Sequence, residues 1–485
     1  MYQFAQSLII EKDIARKVSI LEFLTNSETV TVKEIADQIG FSARTISTDI
    51  QSLRDSLPQG WQIDSLGNSG IVLKRQADVP ISSLWEELVE QSISFQLLKL
   101  LFRGHKLTSG AVATKLGTST ESLRRLISFL NKELRPYQLK ISTKGKVTLV
   151  GSEADIRIFY HRLLLPFTHA NFFFDDYPIH ESFYHQFLKE LDRDQLAPSL
   201  ENIWGICWYF INTIRIKANC RIDIEQVDMS DPLFKLFAPY LTQLYQREGI
   251  YLDGEEGFFA FYCFIESWNF SEVPPVKTED FIRRHYQDLQ QSCDAIVHQL
   301  SNDLAVDLNK TFFAKNLLLL FLKYTESTSL SEKFVLAHLE VLNYGKQNYA
   351  NYWQLLAKHL ADSPFYQSLV YPDHFISSAV LLLAEAISQE VSARRHVYFS
   401  YQGEPAWKAY LANELDAIFG GRLSLVSIEI EELLGCDLDE EDVVVSNHPI
   451  EENIPNKVFY ISTIPTKKEI NSIKEHFAYL YFSGL

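Results

Sequence analysis

The same order of sequence patterns occurs twice within the first 165 residues, and this repetition is the strongest constraint on the fold. Each copy has an amphipathic segment, a short segment that ends at a glycine, a second amphipathic segment and an alternating stretch around a glycine turn. Apolar residues at helical spacing predict helices, and alternation around a turn predicts a hairpin. Three helices followed by a hairpin form a winged helix-turn-helix unit, so the sequence predicts two such units in tandem.

The first unit is centred on "TVKEIADQIGFSARTISTDIQSLRDSLP". Thr31 followed by Glu34 predicts a capping box, Gly40 predicts a left-handed helix end, and Ser42 is expected to cap the next helix. A helix that enters the major groove needs short or hydrogen-bonding side chains near its N-terminus. An ordinary solvated helix could carry the same residue types, but the cap, the turn and the hairpin predicted at "WQIDSLGNSGIVLK" together favour a groove-facing helix. The predicted DNA-binding residues are Ser42, Ala43, Arg44, Ser47, Thr48 and Gln51.

The second unit repeats this pattern and carries the positive charge of the N-terminal region. Ser109 is expected to begin its short helix, which ends at Gly117, and Thr118 with Glu121 predicts a second capping box. Residues 76–165 contain 13 basic and 8 acidic residues, whereas residues 1–75 contain 8 and 9. Basic side chains contact phosphates and give affinity for any DNA sequence. The predicted DNA-binding residues here are Thr120, Arg124, Arg125, Ser128 and Lys132 on the helix, and Lys144 and Lys146 at the hairpin tip.

The net charge of −17 argues against DNA binding by the chain as a whole, but the charge is unevenly distributed. Residues 1–165 contain 21 basic and 17 acidic residues, and the acidic excess lies in the remainder of the chain. An acidic C-terminal portion would discourage unspecific DNA contact by repulsion.

The stretch "VKEIADQIGFSARTISTDIQSLRDSLPQGWQI", continued by the second unit, resembles the N-terminal region of the Mga/AtxA-like family. These are bacterial virulence and metabolic regulators that contain phosphotransferase-system regulation domains (PRDs). The resemblance covers the whole chain in domain order and length. It implies a cytoplasmic protein that binds double-stranded promoter DNA and adjusts transcription to carbohydrate supply. It also implies two winged helices, two helical regulation domains and a C-terminal domain similar to a phosphotransferase EIIB component.

Residues 166–395 contain long amphipathic segments with few strand signals, which predicts one large or two smaller helical bundles. A division near 275–285 is expected, with the linker at "EVPPVKTED" (272–280). The fold class is therefore mainly α and multidomain. The predicted domains are two winged helix-turn-helix domains at 1–75 and 76–165, two PRD-like domains at 166–278 and 279–394, and an EIIB-like α/β domain at 395–485.

The resemblance implies regulation by phosphorylation of histidine, because a phosphoryl group adds charge that can repack an interface. Each histidine of the helical region also has an ordinary structural explanation. "INTIRIKANCRI" and "NLLLLFLKY" hold no histidine, so the sequence leaves the acceptor unassigned. The candidates are His169, His180, His185, His285, His298, His338, His359 and His374.

From His396 onwards the pattern changes to alternating strands and helices, which predicts a small α/β domain with a parallel sheet. Strands are expected at "HVYFS", "LSLVSIEI", "DVVVS" and "KVFYIST", and helices at "EPAWKAYLANELDAIF" and "TKKEINSIKEHFAYL". In the EIIB-like fold the loop after the first strand holds a phosphoryl-accepting cysteine. Here that loop reads "SYQGEPAW", and Cys436 lies far along the chain. Since the chemistry needs a thiolate, the domain is expected to serve interaction or dimerisation.

An enzymatic function is not expected, because no P-loop, dinucleotide-binding, zinc-protease or serine-hydrolase motif occurs. No cofactor and no metal site are predicted. The five cysteines are scattered and form no C-x-x-C pair, which favours reduced thiols in the cytoplasm. Apolar runs are too short for a membrane span, and no signal-peptide pattern opens the sequence.

Three functions therefore remain. The first is a DNA-binding regulator controlled by phosphorylation, with phosphotransferase-system proteins as partners. The second is a DNA-binding regulator whose helical region senses a small ligand or a partner protein without phosphorylation. The third is an interaction scaffold whose winged helices bind protein. RNA antitermination needs a different N-terminal domain. A homodimer or higher oligomer is expected, since proteins that bind DNA through two domains usually form symmetric assemblies.

Overall fold

Helices make up most of the fold, which we describe from a computed structural model. The residues described are 3–67, 70–77, 79, 83–168, 173–174, 177–224, 228–270, 276–336, 339–361, 366–367, 369–392, 396–419, 424–433, 436, 438, 442–450, 454, 456–466 and 468–473. The chain forms two compact units. The first comprises residues 1–285 and 323–336, and the second comprises residues 286–322 and 337–485.

The first winged unit follows the predicted order. Its elements are α1 (Gln3–Ser7), α2 (Lys12–Thr25), α3 (Val32–Ile39), α4 (Ala43–Ser56), β1 (Trp61–Ser65) and β2 (Ile71–Arg75). Thr31 and Glu34 form the expected capping box, and Gly40 ends α3 with a φ of +78°. The antiparallel β1–β2 hairpin gains a short third strand where Val30 pairs with Ile71. The fold of a winged helix is therefore complete in this region.

The second winged unit has the same architecture, and in both units a further helix precedes the three helices of the helix-turn-helix. Its elements are α5 (Ser83–Gln91), α6 (Ile93–Phe102), α7 (Ser109–Lys115), α8 (Thr120–Glu133), β3 (Lys140–Ser142) and β4 (Thr148–Val150). Leu107 pairs with Val147 beside the β3–β4 hairpin, as Val30 pairs with Ile71 in the first unit.

The capping box predicted at Thr118 and Glu121 is wrong. Ser119 is the cap of α8, and its hydroxyl accepts a hydrogen bond from the amide of Ser122 at 3.0 Å. The helix begins one residue later than the pattern indicated, because the hydroxyl of Ser119 caps the amide of Ser122 as a threonine hydroxyl at position 118 would have capped that of Glu121. Glu121 consequently lies within the first turn of α8, on the same surface as Arg124 and Arg125.

The remainder of the first unit is helical. It contains α9 (Glu153–Leu164), α10 (Tyr177–Arg193), α11 (Asn202–Lys217), α12 (Pro232–Gln246), α13 (Gly254–Glu266) and α14 (Val276–His285). The linker expected at 272–280 is helical from Val276 onwards, and residues 271–275 lie outside the described residues. Lys277 and Thr278 donate hydrogen bonds to the carbonyls of Asp194 and Leu196, which anchor this helix near the end of α10.

The second unit begins with another series of helices. They are α15 (Gln287–Leu304), α16 (Phe312–Leu330, whose last eight residues belong to the first unit), α17 (Leu339–Asn348), α18 (Ala350–Leu360) and α19 (Pro372–Ser392). No helix among the described residues has the length and apolarity needed to cross a membrane.

The chain then forms a parallel α/β domain, as the alternating pattern predicted. Its elements are β5 (His396–Ser400), α20 (Pro405–Phe419), β6 (Ser424–Ser427), α21 (Ile430–Leu433), β7 (Val443–Ser446) and β8 (Lys457–Tyr460). The sheet order is β6-β5-β7-β8 with every neighbouring pair parallel. The strand expected over 423–430 is shorter, because Ile430 already begins α21. The last predicted helix is described for residues 468–473 only.

Candidate nucleic-acid interface

Helix α4 presents the surface that the sequence predicted for the first unit. Ser42 caps the helix by accepting a hydrogen bond from the amide of Thr45 at 3.2 Å. Ile46, Ile50 and Leu53 are buried beneath it. All six predicted DNA-binding residues are exposed: Ser42, Ala43, Arg44, Ser47, Thr48 and Gln51. The surface therefore offers short side chains, hydroxyls, an amide and one guanidinium.

Two arginines hold α4 in place, and the sequence analysis missed both. Arg16 on α2 forms a bidentate ion pair with Asp49, whose buried carboxylate lies on the inner side of α4. Arg54 donates from Nε to the carbonyl of Ile63 at 3.1 Å and from a terminal nitrogen to the hydroxyl of Ser65 at 2.5 Å. Asp49 lies between apolar inward positions, and this was the available signal for a buried partner. The helix is thus fixed to both its support helix and its hairpin.

Helix α8 presents the corresponding surface of the second unit. Leu123, Leu126, Ile127 and Leu130 are buried. The side chains of Arg124 and Arg125 are 76% and 77% exposed, so both guanidinium groups are accessible to a phosphate. The five predicted positions on this helix are all exposed: Thr120, Arg124, Arg125, Ser128 and Lys132.

Glu121 shares this surface with the two arginines. One of its carboxylate oxygens lies 3.7 Å from a terminal nitrogen of Arg124, and the other lies 3.7 Å from Nε of Arg125. Ion pairs at this exposure are worth little, but the carboxylate lowers the positive potential that a DNA phosphate would meet. The sequence analysis assigned Glu121 to a capping role and missed this arrangement.

The hairpin of the second unit projects two further lysines. Lys144 and Lys146 are exposed on either side of Gly145, whose φ of +76° makes the tight turn. Asn131 on α8 accepts a hydrogen bond from the amide of Ile141 at 2.5 Å and donates one to its carbonyl at 3.1 Å. This pair of bonds holds the hairpin against α8, so both can meet one DNA backbone.

The second winged unit is joined to the helical region by buried arginines. Arg215 on α11 donates from Nη1 to the carbonyls of Leu101 and Phe102, at 3.1 and 2.9 Å, at the end of α6. It also pairs with Glu153 at 2.7 Å. Arg157 on α9 binds both carboxylate oxygens of Glu256, at 2.7 and 2.8 Å. A change in α11 would therefore act directly on the support helix of this DNA-binding unit.

Two of the candidate histidines are paired with carboxylates. The Nδ1 atom of His180 contacts Glu248, which also accepts hydrogen bonds from Tyr209 at 3.0 Å and Lys217 at 2.7 Å. Burial alone would raise the pKa of Glu248, but the bonds from Lys217, His180 and Tyr209 outweigh it and hold the pKa below its usual value. In the second unit, Nε2 of His359 lies 2.9 Å from a carboxylate oxygen of Asp303.

The other candidate histidines have different surroundings. His185 is exposed, His285 contacts the carbonyl of Phe281 through Nδ1, and His298 contacts the amide of Asn302. Burial lowers the pKa of His374 below its usual value. His169 and His338 lie outside the described residues.

The loop after β5 in the C-terminal domain is closed by its own side chains. The amide of Gln402 donates to Asn447 at 2.8 Å, and Asn447 returns a hydrogen bond to the carbonyl of Gln402 at 2.7 Å. Glu404 accepts from the amide of Trp407 at 2.7 Å and so occupies the N-terminus of α20. This is the crevice at which parallel sheets of this topology bind ligands. The loop itself contains no cysteine, and the exposed Cys436 follows α21.

The described residues contain no group of three or more histidine, cysteine or carboxylate side chains able to hold a metal ion.

Comparison with known families matches both winged units to helix-turn-helix domains. Residues 11–65 match the model of the M protein trans-acting positive regulator (MGA) HTH domain, and residues 77–164 match that of the Mga helix-turn-helix domain. Through these two units the chain is similar to the Mga/AtxA-like family of trans-acting regulators. This family consists of DNA-binding transcription regulators and not of enzymes.

One relative extends this likeness along nearly the whole chain, and two others match about a third of it. The anthrax toxin expression trans-acting positive regulator of Bacillus anthracis is 22% identical over 498 residues, which cover 96% of this chain and 98% of the relative. The capsule synthesis positive regulators AcpB and AcpA of the same organism are 29% and 26% identical. These matches cover 32% of both chains for AcpB and 31% of both chains for AcpA.

A third family model, described as a non-canonical single-stranded DNA-binding domain, matches residues 285–389. This segment contains ten acidic and six basic residues. Its lysines are partly engaged, since Lys346 pairs with Asp373 at 2.6 Å and Lys358 pairs with Asp303 at 3.2 Å. An acidic segment is a poor match for a nucleic-acid backbone, so we place the DNA interface of this Mga/AtxA-like regulator in the winged units.

Proposed function

We propose that this protein activates transcription by binding double-stranded promoter DNA through both winged units. The observation that carries the proposal is the pair of exposed helix surfaces on α4 and α8, each followed by a hairpin fixed to it. We infer activation rather than repression from the relatives, which are named positive regulators.

The two units have different chemistry and therefore different proposed tasks. The α4 surface has one arginine among hydroxyls and an amide, which are groups that hydrogen-bond to base edges. The α8 surface and its hairpin carry Arg124, Arg125, Lys132, Lys144 and Lys146, which are groups that contact phosphates. Sequence recognition is thus assigned to the first unit and most of the affinity to the second.

Replacement of α4 side chains tests this division. Arg44→Ala with Thr48→Ala should reduce the preference of the full chain for its promoter over random DNA about tenfold, as expected for loss of one good base contact. Binding to random DNA should change little. Arg193→Ala, an exposed arginine on α10, is the matched control. A preference that survives the double replacement would contradict base recognition by α4.

We further propose that a phosphotransferase-type phosphorelay controls this activity through His180 and His359. Each of these histidines is held by a carboxylate through one ring nitrogen, which leaves Nε2 of His180 and Nδ1 of His359 as the attacking atoms. The attacking nitrogen would form the new N–P bond while the N–P bond of the donor phosphohistidine breaks. A dianionic group beside Glu248 or Asp303 would repel the carboxylate and disturb the local ion pairs.

Phosphate transfer from a reconstituted phosphorelay tests this proposal. We expect radiolabelled phosphate in the full chain, reduced by His180→Ala and by His359→Ala and absent when both are replaced. His285→Ala is the control, because within the described part of the chain its ring contacts a carbonyl on its own helix and the stacked ring of Phe281, and no carboxylate. An unlabelled chain would leave ligand sensing as the means of control.

We also propose that the C-terminal α/β domain mediates self-association. Gln402 and Asn447 hydrogen-bond to each other across the crevice. Tyr460, the last residue of the edge strand β8, is 55% exposed, and Ile464, four residues later, is 74% exposed. Sedimentation of the full chain with Tyr460→Ser and Ile464→Ser should show dissociation to monomer. Unchanged sedimentation would contradict this role.

A further inference from the structure

A recess between helices α6 and α7 of the second winged unit is lined mainly by basic side chains. Its volume is about 370 Å³, and its charged or titratable lining residues are Lys99, Arg103, His105 and Lys115. Gln96 adds an amide, while Leu100 and Leu116 form an apolar wall. Among the described residues that line the recess, the charged side chains are basic and none is a carboxylate.

The surrounding structure offsets the negative end of helix α6 beside this recess. Helices α6 and α7 both end here, and the carbonyls at a helix end would normally repel an anion. At the end of α6, however, the carbonyls of Leu101 and Phe102 accept hydrogen bonds from Arg215. Lys115 forms no ion pair with any residue in the described part of the chain.

The Arg103 side chain is already oriented at the rim. One of its terminal nitrogens donates to the carbonyl of Phe173 at 3.3 Å, which limits the positions that the guanidinium can adopt. A guanidinium held in this way binds a phosphate with less loss of side-chain entropy than a mobile one.

We propose that this recess is a binding site for a small organic phosphate. The phosphate group would be held by Lys99, Arg103 and Lys115, which is the residue chemistry that binds phosphates in proteins. The remainder of the ligand would contact Gln96 and Leu116. The volume lies at the lower end of the range of about 300–1,000 Å³ for small-molecule sites, so it fits a compact metabolite rather than a nucleotide chain.

The position of the recess links it to the helical region. Gly104 forms the turn after α6 with a φ of +69°, and a Cβ added there would lie 3.0 Å from Cβ of Ala218, just beyond α11. Arg215 on α11 binds the last carbonyls of α6. A ligand that tightens the 99–105 segment would therefore also stabilise the contact between α11 and the winged unit. This regulatory consequence depends on the proposed DNA binding, whereas ligand binding does not.

Calorimetric titration of the full chain at constant ionic strength tests the site. The probes are inorganic phosphate and glucose 6-phosphate, with glucose and sulfate as comparison ligands. We expect both phosphates to bind, the ester more tightly, and glucose not to bind. Lys99→Gln with Lys115→Gln should weaken phosphate binding at least tenfold, and Lys106→Gln, an exposed lysine outside the recess, should leave it unchanged.

Several outcomes would overturn the proposal. Absence of phosphate binding at millimolar concentration would do so, as would equal affinity in the double variant and the Lys106→Gln control. Sulfate binding as tight as glucose 6-phosphate would indicate unspecific anion attraction. If phosphates do not bind and the double variant loses DNA affinity with a flatter salt dependence, the recess belongs to the DNA interface instead. Far-ultraviolet circular dichroism of each variant establishes that it is folded.

Discussion

Arg16 and Asp49 form a bidentate ion pair that fixes α4, the helix proposed to enter the DNA groove, to its support helix α2. The side chains are 15% and 9% exposed, so the pair is largely removed from water. Removing one partner of a buried ion pair lowers stability strongly, because the other charge stays buried and unpaired. Replacing both partners by apolar residues is often tolerated. The pair therefore determines how α4 is held rather than which bases it contacts.

Loss of Arg16 should loosen α4 selectively. Arg16→Ala leaves the Asp49 carboxylate buried without its partner, and we expect a local loss on the order of 3 kcal/mol. Hydrogen exchange of the α4 amides should accelerate accordingly, while exchange in α8 stays the same. Lys17→Ala is the matched control, since among the described residues Lys17 donates to the neutral hydroxyl of Ser52 at 2.9 Å and forms no ion pair. Equal acceleration in both variants would contradict a special role for the ion pair.

Loss of the two arginines on α8 should weaken DNA binding without regard to sequence. Arg124→Ala with Arg125→Ala removes two phosphate contacts, so the slope of log affinity against log salt should flatten by about two. Fluorescence anisotropy with promoter and random DNA measures both effects. Arg193→Ala removes an equally exposed charge from α10 and should change neither quantity.

Removal of the carboxylate between these arginines should have the opposite effect. Glu121 lies 3.7 Å from both guanidinium groups. Glu121→Gln should strengthen DNA binding about two- to fivefold, in line with the worth of exposed ion pairs. The same anisotropy assay measures it, and a weaker complex would mean that the Glu121 carboxylate itself contacts the DNA or orders the arginines.

Much of the winged units could be predicted from sequence because their signals are local. Caps, turn glycines and helical spacing placed α3, α4 and the hairpins, and every predicted residue on α4 and α8 is exposed. The cap of α8 was misassigned because Thr118 and Ser119 are both good caps, and the choice between them depends on packing. The long-range partners could not be predicted, because Arg16 with Asp49 and Arg215 with Leu101 are far apart in the chain.

The buried lysine on α16 should make stability depend on pH. Lys323 donates to the carbonyls of Glu266 and Trp268, and burial lowers its pKa to about 8 despite the opposing charge of Glu266. Its unfolded value is near 10.5. Between these values the unfolded chain binds more protons, so the contribution of Lys323 to stability rises with pH.

Comparison with Lys323→Met isolates this effect. The stability of the unsubstituted chain relative to the variant should increase by on the order of 2 kcal/mol between pH 8 and pH 10. Thermal unfolding midpoints of both proteins across this range provide the measurement. Buried tyrosines, such as Tyr137 with a pKa raised to about 12, affect both proteins equally and cancel in the difference. A difference that is constant with pH would show that Lys323 titrates normally.

The central claim is that the winged units bind DNA, and anisotropy of the full chain on promoter DNA across a salt series tests it most directly. The account predicts binding at low salt with a slope of log affinity against log salt of about −4 or steeper. This slope reflects phosphate contacts by Arg124, Arg125, Lys144 and Lys146. No binding at low salt, or binding that is independent of salt, would contradict the account and identify the winged units as protein-binding modules.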